Sequence, residues 1–360
     1  WKILEKAGSK NLFGETEPEN MDYGVSSSEW WYPRSYLASD GNIVGISYNK
    51  IWMMDKDDDY RVRQTNEIKL ETGGISGIIE DPDLNLEIKN HNHKRNKHID
   101  KLRVLTIGSP VGASNSTVMI DKDLVMVFGG KQSGAEYSPS NKALKIDFSD
   151  SSNPKISKIN SMLKPRANAD ATILPNGEIF INGGHSLEDL KFSIFSPEIY
   201  DPINEKSTLM SKAYFRRNYH SSSLLLPNGT ILVSGGDVWN SEIFYPPYLF
   251  TKNWEGKTIL EKRPLIDKIE KTIERGNITL KLDENFPLDI GKFTLISTGS
   301  VTHAQGSEPK FRSLKFKKTK INEFIIEIPD NKNELQNGSY MIFAIRKNGT
   351  PSEGAIINLI

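Results

Sequence analysis

A strand-turn-strand unit recurs along the first two thirds of this 360-residue chain and constrains its fold more than any other feature. Each copy runs from a short apolar segment through a turn rich in Asp, Asn and Gly into a second apolar segment, and a Gly-Gly pair closes the last three copies. Asn-Gly and Asp-Gly supply the positive φ angles of tight hairpins, so each copy predicts a β-hairpin. The copies occupy residues 37–47, 118–130, 171–184 and 224–236.

The spacing of the copies indicates how the hairpins assemble. The closing Gly-Gly pairs lie 54 and 52 residues apart, close to the roughly 50-residue period of kelch-type propeller blades. The repeat is degenerate between Ser47 and Val118, where we expect one further blade. We assign residues 1–258 to a partial kelch-type β-propeller, with outer strands within 192–202 and 241–250.

The pattern changes after Phe250. A polar stretch leading to Arg263-Pro264 is interpreted as a linker, and short β-type segments separated by turns follow it. Five to seven such strands are typical of a small immunoglobulin-like sandwich, which we assign to residues 263–360. Helical periodicity is nearly absent, so the chain is predicted to be all-β throughout. The clearest sandwich segments are 277–282, 293–297, 311–316, 323–328 and 339–346.

Composition excludes several classes of function. Lys plus Arg and Asp plus Glu both number 46, so no net field favours a nucleic acid or an anionic membrane surface. Apolar runs such as Leu124–Phe128 are far shorter than the roughly 20 residues that span a bilayer. Zero cysteines exclude disulfides, thiolate metal sites and cysteine nucleophiles within these residues. A small-molecule ligand is the expected partner.

The dipeptide Tyr219-His220 is the most informative chemical feature. It lies just before the apolar segment 224–226. Successive side chains of a strand point to opposite faces, so these neighbours can meet one ligand only where the strand begins or bends. Other histidines are interpreted differently. The 90–98 run interleaves three histidines with Lys and Arg and predicts a solvated loop, and His185, after a Gly-Gly pair, is interpreted as a loop residue.

Several motifs in order resemble the galactose oxidase and glyoxal oxidase group of copper radical oxidases. The resemblance covers essentially the whole chain, and the segment that begins at Glu29-Trp-Trp-Tyr-Pro-Arg is nearer to the glyoxal oxidase branch. It implies a seven-bladed propeller when complete, followed by an immunoglobulin-like domain. The motifs that carry it are Arg216-Arg-Asn-Tyr-His-Ser, Glu242-Ile-Phe-Tyr-Pro-Pro-Tyr-Leu, Gly299-Ser-Val-Thr-His-Ala-Gln and Asn337-Gly-Ser-Tyr-Met-Ile-Phe.

The resemblance implies a copper site with four protein ligands. His220 and His303 correspond to the equatorial imidazoles, Tyr32 to the equatorial tyrosine that forms the radical, and Tyr219 to the axial tyrosine that acts as base. Imidazole and phenolate suit Cu(II). Taken singly, His303 also fits a histidine at the end of a sandwich strand, and Tyr32 fits an aromatic core residue.

One feature departs from the family pattern. In the family the radical tyrosine is joined through a thioether to a cysteine on the preceding blade, and this chain has no cysteine. Only 31 residues precede Tyr32, fewer than one blade of roughly 50 residues. We therefore expect the N-terminal part of the propeller, with the cysteine, to precede Trp1.

The activity implied is oxidation of an aldehyde hydrate or a primary alcohol by O2, which gives hydrogen peroxide. The resemblance further implies an extracellular or periplasmic monomer that needs copper and a tyrosyl radical. The alternative is a propeller and sandwich module that binds glycans or matrix and has lost the radical cofactor. An intracellular kelch adaptor is disfavoured, because it has no reason to carry Tyr219-His220 and Val301-Thr-His303 together.

Overall fold

The computed structural model describes most of the chain between Arg34 and Ile360. The described residues are 34–47, 50–58, 61–67, 114–130, 139–186, 190–236, 238–283, 289–302, 305–307 and 310–360. Regular structure in these ranges consists of β-strands and three short 3-10 helices, Lys56–Asp58, Leu190–Phe192 and Pro247–Leu249. None of the described helices has the length and apolar character needed to cross a bilayer. The predicted all-β class is confirmed.

Successive antiparallel meanders form the N-terminal part, and we name them blades 1 to 4. Blade 1 contains β1 (Arg34–Leu37), β2 (Ile43–Ser47), β3 (Lys50–Asp55) and β4 (Arg61–Glu67). Blade 2 contains β5 (Ser116–Asp121), β6 (Leu124–Phe128), β7 (Ala143–Asp147) and β8 (Lys155–Ile159). Blade 3 contains β9 (Ala167–Ile173), β10 (Ile179–His185), β11 (Glu198–Asp201) and β12 (Lys206–Leu209). The described strands of blade 4 are β13 (Ser221–Leu225), β14 (Ile231–Gly235) and β15 (Glu242–Phe244), and a hairpin of β16 (Phe250–Lys252) and β17 (Thr258–Leu260) follows.

All four predicted hairpins form, as the β1–β2, β5–β6, β9–β10 and β13–β14 pairs. A further blade was expected between Ser47 and Val118, but the first part of this region belongs to blade 1. The segments β3 and β4 complete blade 1, and blade 1 packs directly on blade 2 through a shared apolar cluster that includes Val44, Ile46 and Leu144. Residues 68–113 lie outside the described part of the chain.

A buried arginine joins each of the last two blades to the blade before it. Arg166 donates from Nη1 to Gly183 O at 2.7 Å and forms an ion pair with Glu198 at 2.9 Å, with both side chains fully buried. Its carbonyl accepts a hydrogen bond from the Gly130 N–H of blade 2 at 2.7 Å. A charge pair this deeply buried requires nearly complete hydrogen bonding. We call this arrangement the arginine staple.

The arginine staple repeats 51 residues later in the sequence. Arg217 is fully buried, donates to Gly235 O at 2.9 Å and pairs with Glu242 at 3.1 Å. Its carbonyl accepts from the Gly184 N–H of blade 3 at 2.6 Å. The repeat therefore extends to the ion pair within each blade and to the carbonyl that joins the blade to the one before it.

The Gly-Gly pairs make this close approach possible. Both glycines of each pair take positive φ angles, 67° and 79° at Gly183 and Gly184. A Cβ atom added to Gly183 would lie 2.3 Å from Arg217 O. A residue with a side chain would therefore meet both backbone strain and a steric clash.

The C-terminal part is a sandwich of two sheets. One sheet has the order β18 (Ile266–Lys268), β20 (Gly276–Leu282), β26 (Glu323–Ile328), β25 (Phe316–Lys318). The other has the order β19 (Thr272–Ile273), β28 (Ala355–Leu359), β27 (Gly338–Arg346), β21 (Ile290–Ser297), β24 (Phe311–Leu314). Their inner faces share a core in which Leu280, Phe293, Ile326 and Ile342 are fully buried.

The sandwich has more strands than predicted. The described residues place nine strands in its two sheets, against the five to seven expected. The predicted segment 311–316 divides at Lys315, so that β24 enters one sheet and β25 the other. The strands β18 and β19 are too short, at 3 and 2 residues, to show an alternating pattern.

The second sheet of the sandwich rests on the hairpin turns of the blades. Thr294 Oγ1 donates to Pro175 O at 2.7 Å, Gly354 N donates to Pro227 O at 2.7 Å, and Asn331 Nδ2 donates to Ser39 O at 2.9 Å. Apolar side chains of β21 and β27 join those of blades 3 and 4 in one buried cluster. The two parts therefore share a continuous, hydrogen-bonded contact.

Replacement of Gly183 by alanine tests the steric requirement at the Gly-Gly pairs. Gly183→Ala should lower the free energy of unfolding by roughly 2–4 kcal/mol, because the strain of the left-handed backbone adds to overpacking. The control is Gly256→Ala, since Gly256 has a similar φ of 77° and no described neighbour within 4 Å of its added Cβ. That variant should lose about 1 kcal/mol. Equal losses in urea denaturation would show that the clash with Arg217 does not matter.

Candidate metal centre

Tyr219 and His220 form the tip of a β-turn directly before β13. Ser221 N donates to Asn218 O at 2.9 Å, which closes the turn around the two residues. His220 has a φ of 67°, in the left-handed region that the third position of a type II turn requires. The two ring centroids lie only 3.9 Å apart, with Tyr219 half-buried and His220 exposed. The two side chains therefore lie side by side at a bend directly before the strand.

Blade 3 holds both ends of this turn. Ser221 Oγ donates to Asp170 Oδ2 on β9 at 2.7 Å. At the other end the Asn218 amide lies 2.8 Å from Ser193 Oγ and 2.8 Å from Gly184 O. Both contacts are satisfied when Nδ2 donates to Gly184 O and Oδ1 accepts from the Ser193 hydroxyl. The turn is therefore fixed by its neighbour as well as by its own blade.

A hairpin of the C-terminal part reaches the first strands of three blades. Its strands are β22 (Ser300–Thr302) and β23 (Gln305–Ser307). Their Cα atoms come within 8 Å of those of β5, β9 and β13. His303 falls between β22 and β23 in the sequence and lies outside the described residues. The hairpin that contains His303 in its sequence is thus beside the strand that follows Tyr219-His220.

The predicted ligand Tyr32 also lies outside the described residues, two positions before β1. The strand β1 itself is firmly joined to blade 2. Tyr36 Oη donates to Thr117 Oγ1 on β5 at 2.5 Å, and Arg34 Nη2 donates to Asn115 O. The strand after Tyr32 is β1 and the strand after His220 is β13. Each is the first strand of its blade, and β5 and β9, the first strands of blades 2 and 3, lie between them.

Two buried polar side chains near the turn were not singled out from the sequence. Asp170 on β9 and Asn182 opposite it on β10 are each 2% exposed. Asp170 Oδ1 and Asn182 Nδ2 have no hydrogen bond from or to the described residues. Burial raises the pKa of the Asp170 carboxyl from 3.8 to about 7, against the lowering effects of the Ser221 hydrogen bond and the Arg217 charge. An acidic residue inside the run Ala169-Asp170-Ala171 was the available sequence signal.

The interpretation of His185 as a loop residue is wrong. His185 is the last residue of β10, 7% exposed, and its Nε2 lies 3.1 Å from Asn168 Nδ2. The Gly-Gly pair before it continues the strand instead of ending it, because β10 still pairs with β9 at Ala167. The 90–98 run lies outside the described residues.

The donor atoms present fit copper in type. Tyr219 offers a phenol oxygen and His220 an imidazole, on one turn and on the same side. Nitrogen and oxygen donors of this kind suit Cu(II). In the described ranges no three His, Cys, Asp or Glu side chains form a group that could hold a metal ion. The described turn thus contributes two of the four predicted ligands.

Comparison with known proteins agrees with this architecture. Residues 263–359 match the family described as galactose oxidase-like, early set domain. A galactose oxidase of Gibberella zeae is 26% identical over 269 residues, which cover 70% of this chain and 38% of the relative. The chain is therefore similar in sequence to galactose oxidase. The aldehyde oxidase GLOX1 of Arabidopsis thaliana is 25% identical over 235 residues, which cover 56% of this chain and 37% of the relative.

A solved structure extends the comparison to the fold. It is a fungal alcohol oxidase of the AA5 family in complex with copper, with a TM-score of 0.64 at 18% identity. The match covers 91% of this chain and 75% of the other. The predicted family resemblance and fold class are confirmed. The chain spans about two fifths of the length of the curated galactose oxidases, at 38%.

The buried carboxyl of Asp170 predicts a pH dependence of stability. Its folded pKa of about 7 is above the ordinary 3.8, so the contribution to stability is present below about pH 4 and is lost as the pH rises towards 7. Compared with Asp170→Asn, the unmodified chain should lose up to about 1.4 kcal/mol per pH unit over this window. Urea denaturation at several pH values measures the difference. Thr172→Val, an uncharged change on the same strand, should keep the full pH dependence, and a pH dependence unchanged in Asp170→Asn would contradict the prediction.

Proposed function

We propose that the chain is part of a copper-dependent oxidase that converts aldehyde hydrates or primary alcohols with O2 and releases hydrogen peroxide. The observation that supports it best is the β-turn with Tyr219 and His220 at its tip, beside the hairpin β22–β23 of the C-terminal part. A phenol and an imidazole on one turn, next to a segment that contributes another histidine, form a mixed N,O donor set. The galactose oxidase and aldehyde oxidase relatives support the same reaction class.

The proposed ligands are Tyr32, Tyr219, His220 and His303. Copper bound there would supply a Lewis acid and a one-electron acceptor. The two histidines come from different parts of the fold, since His220 precedes β13 of blade 4 and His303 lies between β22 and β23. The contact between sandwich and blades therefore sets how the two imidazoles meet.

The tyrosines have separate roles in this proposal. Tyr219 Oη accepts the hydroxyl proton of the substrate as general base, and its half-buried ring keeps it within reach of solvent. Tyr32 takes the hydrogen atom from the substrate carbon as a radical. Loss of two hydrogens from the substrate is balanced by reduction of O2 to hydrogen peroxide. The proposed location is extracellular or periplasmic.

The missing cysteine favours a second candidate. The 360 residues contain none, so a thioether to Tyr32 cannot form within them. Without that cross-link the fold could serve as a non-catalytic module that binds glycans or matrix and keeps a copper site. Copper binding is common to both candidates, and peroxide formation separates them.

The test loads the full-length protein with copper and follows hydrogen peroxide with a peroxidase-coupled assay on aldehydes and primary alcohols. Tyr219→Phe should lower turnover roughly 10²- to 10⁴-fold, because a general base is lost. Tyr32→Phe and His303→Ala should abolish turnover. Tyr245→Phe is the matched control, since Tyr245 is exposed on blade 4 and outside the proposed site.

Two outcomes would decide against the oxidase. Peroxide formation that none of the three substitutions at Tyr32, Tyr219 and His303 changes would remove the site assignment. Copper binding without peroxide on any substrate would favour the non-catalytic module.

A further inference from the structure

The β-turn that contains Tyr219 and His220 is strained. His220 has a φ of 67°, a left-handed conformation that is uncommon for residues other than glycine. A left-handed residue of this kind costs of the order of 1–3 kcal/mol and persists only where its surroundings impose it. Ser114 before β5 and Asn168 near the start of β9 have similar φ angles of 59° and 56°, so this conformation recurs among the blades and the contacts at each junction hold it.

The residue after His220 is the point of attachment. Ser221 is fully buried, its N–H closes the turn onto Asn218 O, and its hydroxyl donates to Asp170 Oδ2 at 2.7 Å. Since Ser221 is bound through both its backbone and its side chain, the left-handed backbone of His220 cannot relax without breaking one of these hydrogen bonds. Asp170 is the partner contributed by the neighbouring blade.

We propose that Asp170 is a positioning residue for the metal centre. Through the Ser221 hydroxyl, its carboxylate holds His220 in the left-handed conformation that brings the imidazole beside the Tyr219 ring. The role in metal binding rests on the function proposed above. The role in holding the turn does not depend on it.

The preceding junction contains a hydrogen bond at a different position of the repeat. Between blades 2 and 3, Ser116 Oγ on β5 donates to Ala169 O on β9 at 2.5 Å, and Ser116 pairs with Phe128, before the Gly-Gly pair. Between blades 3 and 4, Ser221 pairs with Gly235 and donates to a carboxyl group that is 2% exposed. Burial of a carboxylate with incomplete hydrogen bonding carries a substantial desolvation cost. The Asp170–Ser221 hydrogen bond thus lies directly at the end of the turn that contains Tyr219 and His220.

The position of Asp170 fits a task at the metal centre. The strand β23 has Cα atoms within 8 Å of both β9 and β13, the strands that the Asp170–Ser221 hydrogen bond connects. Asp170 Oδ1 accepts no hydrogen bond from the described residues, and Asn182 Nδ2, on the paired strand, donates none to them. The carboxylate thus fixes the turn in the region where the hairpin with His303 in its sequence approaches.

The test compares Asp170→Ala, Ser221→Ala and the double variant. Copper affinity should fall roughly 10- to 100-fold in each, as for other residues that orient a metal ligand. The double variant should be no worse than the single ones, because both remove the same hydrogen bond. Asp170→Asn keeps an oxygen that can accept from Ser221 and should restore most of the affinity.

The matched control is Thr172→Val. Thr172 lies two residues further along β9, and its Oγ1 donates to Ser223 O of β13 at 3.1 Å. The substitution removes a similar contact between the same two strands away from the turn. Copper affinity should stay within about twofold of the unmodified chain.

A metal-free measurement separates this proposal from the proposed function. Backbone ¹³C chemical shifts of His220 and Ser221 report the φ angle, and we expect them to move in Asp170→Ala and Ser221→Ala but not in Thr172→Val. Unchanged shifts in the first two variants would overturn the positioning role, whether or not the chain binds copper. If the ¹³C shifts move in these two variants but the chain binds no copper, Asp170 keeps its role in holding the turn and the proposed metal function is rejected.

Discussion

The arginine staple is the interaction on which the rest of the structure depends. The guanidinium of Arg217 is fully buried and binds Gly235 O and Glu242 within blade 4. The backbone carbonyl of Arg217 accepts a hydrogen bond from the Gly184 N–H in blade 3. The buried ion pair holds the arginine within blade 4, and the hydrogen bond of its carbonyl makes the contact with blade 3. Tyr219 and His220 follow within three residues. The position of their turn therefore depends on the arginine staple.

Much of the fold could be predicted from local signals. Asn-Gly and Asp-Gly turns between apolar segments predicted the four hairpins, since a tight turn needs positive φ angles that the sequence states directly. The strands that the sequence missed lie where its pattern is short or irregular. The strands β19 and β18 have 2 and 3 residues, and β3 and β4 complete blade 1 where the degenerate repeat predicted a further blade.

The four candidate ligands could be named from the sequence and stay a prediction, whereas the residues that support the turn could not be named. Tyr219 and His220 form a bend before a strand, as their adjacency required. Asp170 could not be connected with them, because the hydrogen bond to Ser221 joins residues 51 positions apart. A buried carboxyl group on β9 thus supports the turn from the neighbouring blade. His220 is thus both the strained residue of the turn and a proposed copper ligand.

The central claim is that a copper site forms between blade 4 and the hairpin β22–β23. Electron paramagnetic resonance of the Cu(II)-loaded full chain tests it most directly, because nitrogen hyperfine splitting counts the coordinated imidazoles. We expect two nitrogen ligands in the unmodified chain, and one each in His220→Ala and His303→Ala. A signal that keeps two nitrogens in either variant would contradict the claim.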